Sequence, residues 1–184
     1  MSVLKDLGDL QRKIIFYLAE NPKQHKESIM KSLEHKYYGS VLNAVKRLEK
    51  TKYLVSVRAK SKKNLKIKLY SCSEKGVFYA LVKNEKTDVL KILENYKDYG
   101  VVKRLREVCD LLGEEVFIKL LRFAQPFLPL AESLGVEEAC GCAFSHFLMH
   151  PDKLGDLREA IKRSPKAREL ARIWIESLSG GESG

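Results

Sequence analysis

Apolar positions in the first half of the chain recur at helical spacing in three successive segments. Residues 6–20, about 26–35 and 40–52 each place their apolar side chains on one face, which predicts three amphipathic helices. Pro22 ends the first helix, because the residue before a proline avoids helical geometry. Gly39 is expected to supply the turn between the second and third helices. A helix, a short glycine-containing turn and a second helix form a helix-turn-helix.

The third predicted helix, residues 40–52, has two contrasting faces. Its inward positions are Val41, Val45 and Leu48. The opposite face carries hydrogen-bond donors, three of them cationic: Ser40, Asn43, Lys46, Arg47 and Lys50. The Ser40 hydroxyl is also expected to cap the helix. Such a helix can anchor in a small core and reach base edges and phosphates in a major groove. The alternative is an outer face that is charged only because water surrounds it.

After residue 52 the spacing changes to alternation. Residues 53–60 and 65–70 predict the two strands of a β-hairpin, each burying an apolar face and exposing a basic one. The inward side chains are expected to be Val55, Val57, Ala59, Leu65, Ile67 and Leu69. Those expected on the exposed face are Leu54, Ser56, Arg58, Lys60, Lys66, Lys68 and Tyr70. Lys62 and Lys63 at the tip suit a phosphate backbone or a minor groove. The alternative is that lysine protects edge strands from aggregation.

The rest of the chain is predicted to be helical. A helix over 74–82 closes the first unit, and the polar stretch 83–86 suggests a boundary between domains 1–86 and 87–184. Further helices are predicted over 88–99, 101–112, 114–124, 130–134, 136–150, 152–163 and 166–178. The expected fold class is mainly α with a small β-hairpin, followed by an all-helical domain.

Charge is distributed unevenly along the chain. The formal net charge is +10, yet residues 1–86 hold 20 Lys or Arg against 8 Asp or Glu, and residues 87–184 hold 14 against 16. Within the first half, residues 23–68 hold 14 basic and 3 acidic side chains. A polyanionic partner for the first half explains this asymmetry, whereas a generally lysine-rich surface does not predict it.

The segment that follows the hairpin resembles a known family signature. Tyr70-Ser71-Cys72-Ser73-Glu74-Lys75-Gly76 is similar to the Tyr-x-Leu-Thr-x-x-Gly stretch of MarR- and PadR-type transcription regulators. Tyr70 and Gly76 match, Ser73 replaces threonine and can still cap a helix, and Cys72 replaces leucine as a smaller apolar residue. Residues 41–53 also resemble the family's recognition helix and its exit into the wing. The resemblance covers about residues 1–85 and implies a winged helix-turn-helix.

The resemblance implies a sequence-specific regulator that binds double-stranded DNA, with helix 40–52 in the major groove and wing 53–70 on the backbone or in the minor groove. The residues expected to contact DNA are Ser40, Asn43, Lys46, Arg47, Lys50, Arg58, Lys60, Lys62, Lys63 and Lys66. A homodimer is expected, because DNA-reading helices commonly work in two-fold pairs. The alternative is a winged helix that binds protein or RNA within a larger assembly.

A row of metal-ligand side chains lies in the second half. Cys142, His146 and His150 are four residues apart, so a helix would align them, while Cys140 falls outside the row. Zinc prefers thiolate and imidazole, but the spacing matches no zinc finger. A buried thiol row packed between helices is the favoured interpretation, with a metal site and thiol redox sensing as alternatives.

No pattern predicts an enzyme. The chain lacks a glycine-rich phosphate loop, a serine elbow and a metalloprotease motif, and no cofactor is expected. A small-molecule effector remains a candidate, because several aromatic or sulfur-containing side chains could line a pocket, although core packing is their commoner role: Phe123, Phe127, Phe144, Phe147, Met149 and Trp174. Without a secretory leader or an apolar run of about 20 residues, a cytoplasmic protein with no membrane partner is expected.

Overall fold

The structure, a computed structural model, describes residues 7–60, 64–83 and 87–148 and six isolated helical positions beyond them. Lys62 and Lys63, the boundary residues 84–86 and most of the last two predicted helices lie outside the described residues. The same holds for Met149, His150, Trp174 and the side chains of Phe144 and Phe147.

Three helices open the fold: α1 (Asp9–Glu20), α2 (Lys26–Ser32) and α3 (Tyr38–Lys50). Their apolar stripes meet in a common core, as the periodicity predicted. The fully buried side chains of these helices include Ile14, Ile15, Leu18, Ile29, Val41, Val45 and Leu48. Burying aliphatic side chains of this size contributes about 1.5–3 kcal/mol each, which is what holds three short helices together.

The turn between α2 and α3 is built differently from the prediction. α3 begins at Tyr38, so Gly39 and Ser40 lie inside its first turn, and no side chain caps the helix. The left-handed residue is Glu34, with φ 48°. The N–H groups of Glu34 and His35 bond back to carbonyls of α2 at 3.1 and 3.2 Å, which ends that helix. The predictions that Gly39 forms the turn and that Ser40 caps α3 were therefore wrong, because backbone hydrogen bonds end α2.

Two antiparallel strands follow, β1 (Leu54–Lys60) and β2 (Lys66–Cys72). The register places Leu54 opposite Cys72 and Lys60 opposite Lys66. Gln24, which precedes α2, forms a bridge with Tyr70 through N–H···O bonds of 3.0 and 2.7 Å. This bridge ties the outer edge of β2 to the helical core and was not anticipated from the sequence.

At its base the hairpin buries the side opposite to the predicted one, whereas Ala59, Ile67 and Leu69 on the predicted side are half-buried. Val55, Val57 and Leu65 are 42%, 55% and 64% exposed, whereas Leu54 and Tyr70 are buried. Cross-strand partners share a face, so Leu54 and Tyr70 lie on the side that carries the cations farther out. This side is buried in the core at the base of the hairpin and becomes exposed farther out along the strands. The prediction that Val55 and Val57 face inward was wrong, because no described helix covers these two side chains.

α4 (Glu74–Lys83) packs on the hairpin base through the segment that resembled the family signature. The Ser73 hydroxyl donates to the Lys52 carbonyl at 2.6 Å and accepts from the Gly76 N–H at 3.2 Å, which confirms its expected capping role. A Cβ at Gly76 would lie 2.2 Å from the Tyr53 carbonyl oxygen. Only glycine therefore permits this approach of α4 to the end of α3.

The second half is helical throughout its described residues. Its elements are α5 (Val89–Asn95), α6 (Gly100–Leu112), α7 (Glu114–Phe123), a 3-10 turn (Gln125–Phe127), α8 (Leu128–Ser133) and α9 (Val136–Leu148). The fold is thus mainly α with one hairpin, as predicted. No helix among the described residues is long and apolar enough to cross a membrane.

α5 and the turn that follows it are hydrogen-bonded to the first unit. The Tyr96 hydroxyl at its end accepts from the Cys72 N–H at 3.1 Å and donates to the Leu18 carbonyl at 2.7 Å. The Tyr99 hydroxyl donates to the Cys72 carbonyl at 2.9 Å, and the Asn95 amide donates to the Glu20 carbonyl at 2.9 Å. α5 is thereby joined to the base of the hairpin and to the end of α1. The division at residue 86 stays a prediction.

Candidate nucleic-acid interface

The outward face of α3 is exposed as the sequence predicted. Ser40, Asn43, Lys46, Arg47 and Lys50 are all exposed, while Val41, Val45 and Leu48 anchor the other face in the core. Within the described part of the chain, no carboxylate pairs with the three cations of this face. Their charge is therefore not neutralised by any described carboxylate.

Glu49 joins α3 to the hairpin. Its carboxylate accepts a hydrogen bond from the Ser56 hydroxyl and lies 3.3 Å from the Lys68 ammonium group. The Ser56 hydrogen bond and, secondarily, Lys68 hold the pKa of the Glu49 carboxyl below its usual value, against the effect of desolvation. Since Ser56 and Lys68 lie on the basic side of the hairpin, that side is turned toward α3. Glu49 was not among the predicted site residues, because the pattern of α3 as an isolated helix does not distinguish it.

On the basic side of the hairpin, positively charged side chains lie opposite one another across the two strands. The register pairs Arg58 with Lys68 and Lys60 with Lys66. Directly opposite like charges destabilise a sheet. Lys68 is balanced by Glu49, but no described carboxylate pairs with Arg58, Lys60 or Lys66, and all three are exposed. The predicted contacts Arg58, Lys60 and Lys66 are thus brought together on one surface.

Aromatic side chains flank the start of α3. Lys26 lies over the Tyr38 ring, 5.3 Å from its centroid, and hydrogen bonding with Tyr38 raises the pKa of this lysine. Tyr37, immediately before α3, is 70% exposed. Its N–H donates to His35 Nδ1 at 3.2 Å. The exposed ring was not among the predicted contacts, although its position next to the outward row of α3 could have indicated it.

The predicted cysteine and histidine row does not come together as a metal site within the described residues. Cys142 and His146 are exposed on α9, and His146 stacks near Phe123 with ring centroids 5.3 Å apart. No group of three or more potential ligands is present among the described residues, and His150 lies outside them. The interpretation of a buried thiol row was wrong for Cys142, because this position of α9 faces solvent.

Burial makes the other thiols poor redox sensors. It raises the pKa of Cys72 to about 12, that of Cys109 to about 11 and that of Cys140 to about 12. A protonated thiol is a weak nucleophile, which disfavours redox sensing at these three positions.

A small cavity lies where α4, α5 and α7 meet. Its volume is about 60 Å³, and it is lined by Leu81, Val82, Thr87, Val89, Ile118, Leu121 and Arg122. The Thr87 hydroxyl is buried there without a hydrogen-bond partner among the described residues. The aromatic side chains expected to line a pocket do not line this one.

Solved structures similar to this chain include those of ZitR and PadR. ZitR of Lactococcus lactis, a zinc-responsive MarR family member, is 22% identical over 62% of this chain and 79% of that chain, with a TM-score of 0.38. PadR of Bacillus subtilis in complex with operator DNA is 14% identical over 92% of this chain and 98% of that chain, with a TM-score of 0.35. No protein-family profile and no curated protein matches the chain. Residues 9–83 form three helices, a hairpin and a closing helix, and this order of elements identifies them as a winged helix-turn-helix. The helices of the second half follow it.

Proposed function

We propose that this protein is a transcription regulator that binds double-stranded DNA sequence-specifically and acts by binding rather than by catalysis. In this proposal α3 enters the major groove and the hairpin lies on the backbone or in the minor groove. Asn43 is suited to adenine, and Arg47 to guanine or a phosphate. The hairpin cations add affinity without choosing a sequence.

The observation that carries the proposal is that two positively charged surfaces, one on α3 and one on the hairpin, adjoin each other. The outward row of α3 and the basic side of the hairpin meet at Glu49, which pairs with Lys68. The other exposed cations of these two surfaces have no described carboxylate partner. Lys60 opposite Lys66 costs stability in the isolated protein, and phosphates would relieve that repulsion. Local features that weaken a fold are expected at functional sites.

We further propose that the protein acts as a homodimer, with residues 87–184 serving dimerisation or the sensing of a small molecule or metal ion. Two recognition helices related by two-fold symmetry would read half-sites about 34–36 Å apart. A footprint with two-fold symmetry at that spacing is the expected outcome. A single unrepeated half-site would contradict the dimer while leaving DNA binding intact.

The test is competition binding of the full chain to duplex DNA, single-stranded DNA and structured RNA, after selection of bound duplexes from a random pool. Arg47→Ala should weaken binding to the selected duplex by about 1–3 kcal/mol. Lys62→Ala with Lys63→Ala should weaken binding and reduce the slope of log affinity against log salt by about two units. Lys91→Ala, which removes an exposed cation from α5, is the matched control and should change neither. Equal affinity for all three nucleic acids would contradict sequence-specific duplex binding.

A second candidate function is supported by the exposed apolar side of the hairpin. Val55, Val57 and Leu65 are exposed there, as in surfaces that bind another protein. If the winged helix serves protein assembly, Val55→Ser with Val57→Ser should abolish partner binding and leave DNA binding unchanged. Under the DNA-binding proposal, these substitutions should leave the DNA footprint unchanged, and Arg47→Ala should alter it.

A further inference from the structure

Tyr37 is an aromatic side chain that the fold does not use. It is 70% exposed, more than any other large apolar side chain among the described residues. Its described ring contact is an edge-on approach to His35, with centroids 6.3 Å apart. An aromatic ring of this size contributes to folding mainly when it is buried, so folding does not account for Tyr37.

The backbone at Tyr37 is nevertheless held in place. Its N–H donates to His35 Nδ1 at 3.2 Å, and its carbonyl accepts from the Val41 N–H at 3.4 Å, the first bond of α3. The ring therefore projects from a fixed point at the beginning of the helix. Tyr37 is the N-cap of α3 and precedes Ser40, the first residue of the outward row, by three positions, so its exposed ring lies at the start of that row.

Gly39 leaves the space beside this row empty. A Cβ at this position would meet nothing within 4 Å, and its φ lies outside the left-handed region. Neither packing nor backbone conformation requires glycine there, and glycine inside a helix is less favourable than alanine. The missing side chain gives a partner close access to the start of α3 alongside the Tyr37 ring.

We propose that Tyr37 is a specificity-determining residue that reads thymine, an inference that rests on the proposed DNA-binding function. In the major groove thymine is distinguished by its apolar C5 methyl group, for which an aromatic ring is a suitable contact. Tyr37 and Asn43 are six residues apart, roughly 9 Å along the helix, which corresponds to about two or three base pairs. Each half-site therefore contains a thymine two or three base pairs from the adenine that Asn43 contacts.

The test removes the methyl group and the ring separately. Each thymine of the selected duplex is replaced in turn by deoxyuridine, which lacks the C5 methyl, and binding of the full chain is measured by fluorescence anisotropy. One replacement should weaken wild-type binding about fourfold, which is the change in affinity expected for the loss of one buried methyl group. Tyr37→Ala should weaken binding to the unmodified duplex by at least the same factor and should show no further loss at that thymine. Tyr37→Phe should retain the methyl dependence.

Leu90→Ala is the matched control, because Leu90 is 50% exposed on α5, away from α3, and its truncation should change neither quantity. If wild-type binding is insensitive to every replacement, or if Tyr37→Ala keeps the full sensitivity, the assignment is overturned while DNA binding stands. The deoxyuridine replacements measured with the wild-type protein test the assignment even if a Tyr37 variant does not fold. If no duplex is bound at all, the proposed function and this inference fail together.

Discussion

At the scale of single residues, Gly76 has a role that its neighbours impose. The Tyr53 carbonyl oxygen occupies the position next to its Cα, where a Cβ would be 2.2 Å away. The obstructing atom belongs to the backbone, so it cannot move as the end of a flexible side chain would. The glycine in the sequence signature is thus explained by the close approach of α4 to the exit of α3.

Gly76→Ala is expected to destabilise the protein by about 2–3 kcal/mol, because α4 must move away from the hairpin base. Urea denaturation followed by circular dichroism measures the change. Gly39→Ala is the matched control: it lies in open space within a helix, so alanine should leave stability unchanged or raise it by about 0.5–1 kcal/mol. Equal effects at the two positions would contradict the steric argument.

The four cysteines divide by burial. Burial raises the pKa of Cys72, Cys109 and Cys140 to about 12, 11 and 12, whereas Cys142 is exposed. At pH 8 the first three should remain protonated, with Cys72 and Cys109 buried and Cys140 half-buried. A disulfide reagent added to the native protein should therefore titrate one thiol rapidly and the other three only on unfolding. Cys142→Ser should remove the rapid phase, and two or more rapid thiols would contradict this assignment.

At the scale of secondary-structure elements, the relation between α3 and the hairpin depends on Glu49. Its carboxylate is hydrogen-bonded by Ser56 and lies 3.3 Å from Lys68. It orients the hairpin but also neutralises a cation that would otherwise face a phosphate. Glu49 therefore lowers the positive charge of the described hairpin surface by pairing with Lys68.

Glu49→Gln is expected to tighten DNA binding and to steepen its salt dependence by about one unit of slope, because Lys68 is released while the glutamine oxygen still accepts from Ser56. Titrations of a fluorescent duplex at several salt concentrations measure both effects. Glu94→Gln removes a carboxylate whose partners, Lys97 and Arg106, lie outside the hairpin, and should change neither quantity. Unchanged slope and affinity in Glu49→Gln would show that Lys68 does not contact the duplex.

At the scale of the whole molecule, α5 connects the winged helix to the helical half through the Tyr96 hydroxyl. This group satisfies the Cys72 N–H at the base of the hairpin and the Leu18 carbonyl in α1, both buried. Burial also raises the pKa of Tyr96, so the hydroxyl stays protonated and keeps donating. Packing of the helical half is thereby linked to the element that carries the basic surface.

Tyr96→Phe should destabilise the full chain by about 1–3 kcal/mol, since two buried backbone groups lose their partner. Thermal unfolding monitored by circular dichroism tests this. Tyr17→Phe is the control: the Tyr17 hydroxyl accepts from Ser32 at the surface, and its loss should change stability by less than about 0.5 kcal/mol. A Tyr96→Phe variant as stable as this control would mean that the hydroxyl does not hold α5 in place.

The sequence by itself determined the order and type of the elements, the buried stripe of α3 and the concentration of positive charge in residues 1–86. These properties follow from periodicity and composition, which are local. The outward positions Asn43 and Arg47 could be recognised for the same reason, because a helix with three buried positions on one side must expose the other.

Only the tertiary structure decided which side of the hairpin is buried, which carboxylate neutralises a cation and why Gly76 is required. Alternation shows that a strand has two faces, but the elements packed nearby select the buried one. Val55 and Val57 stay exposed because no described helix covers them, and Leu54 on the other side reaches the core. Such contacts join residues far apart in the chain, which local spacing cannot specify.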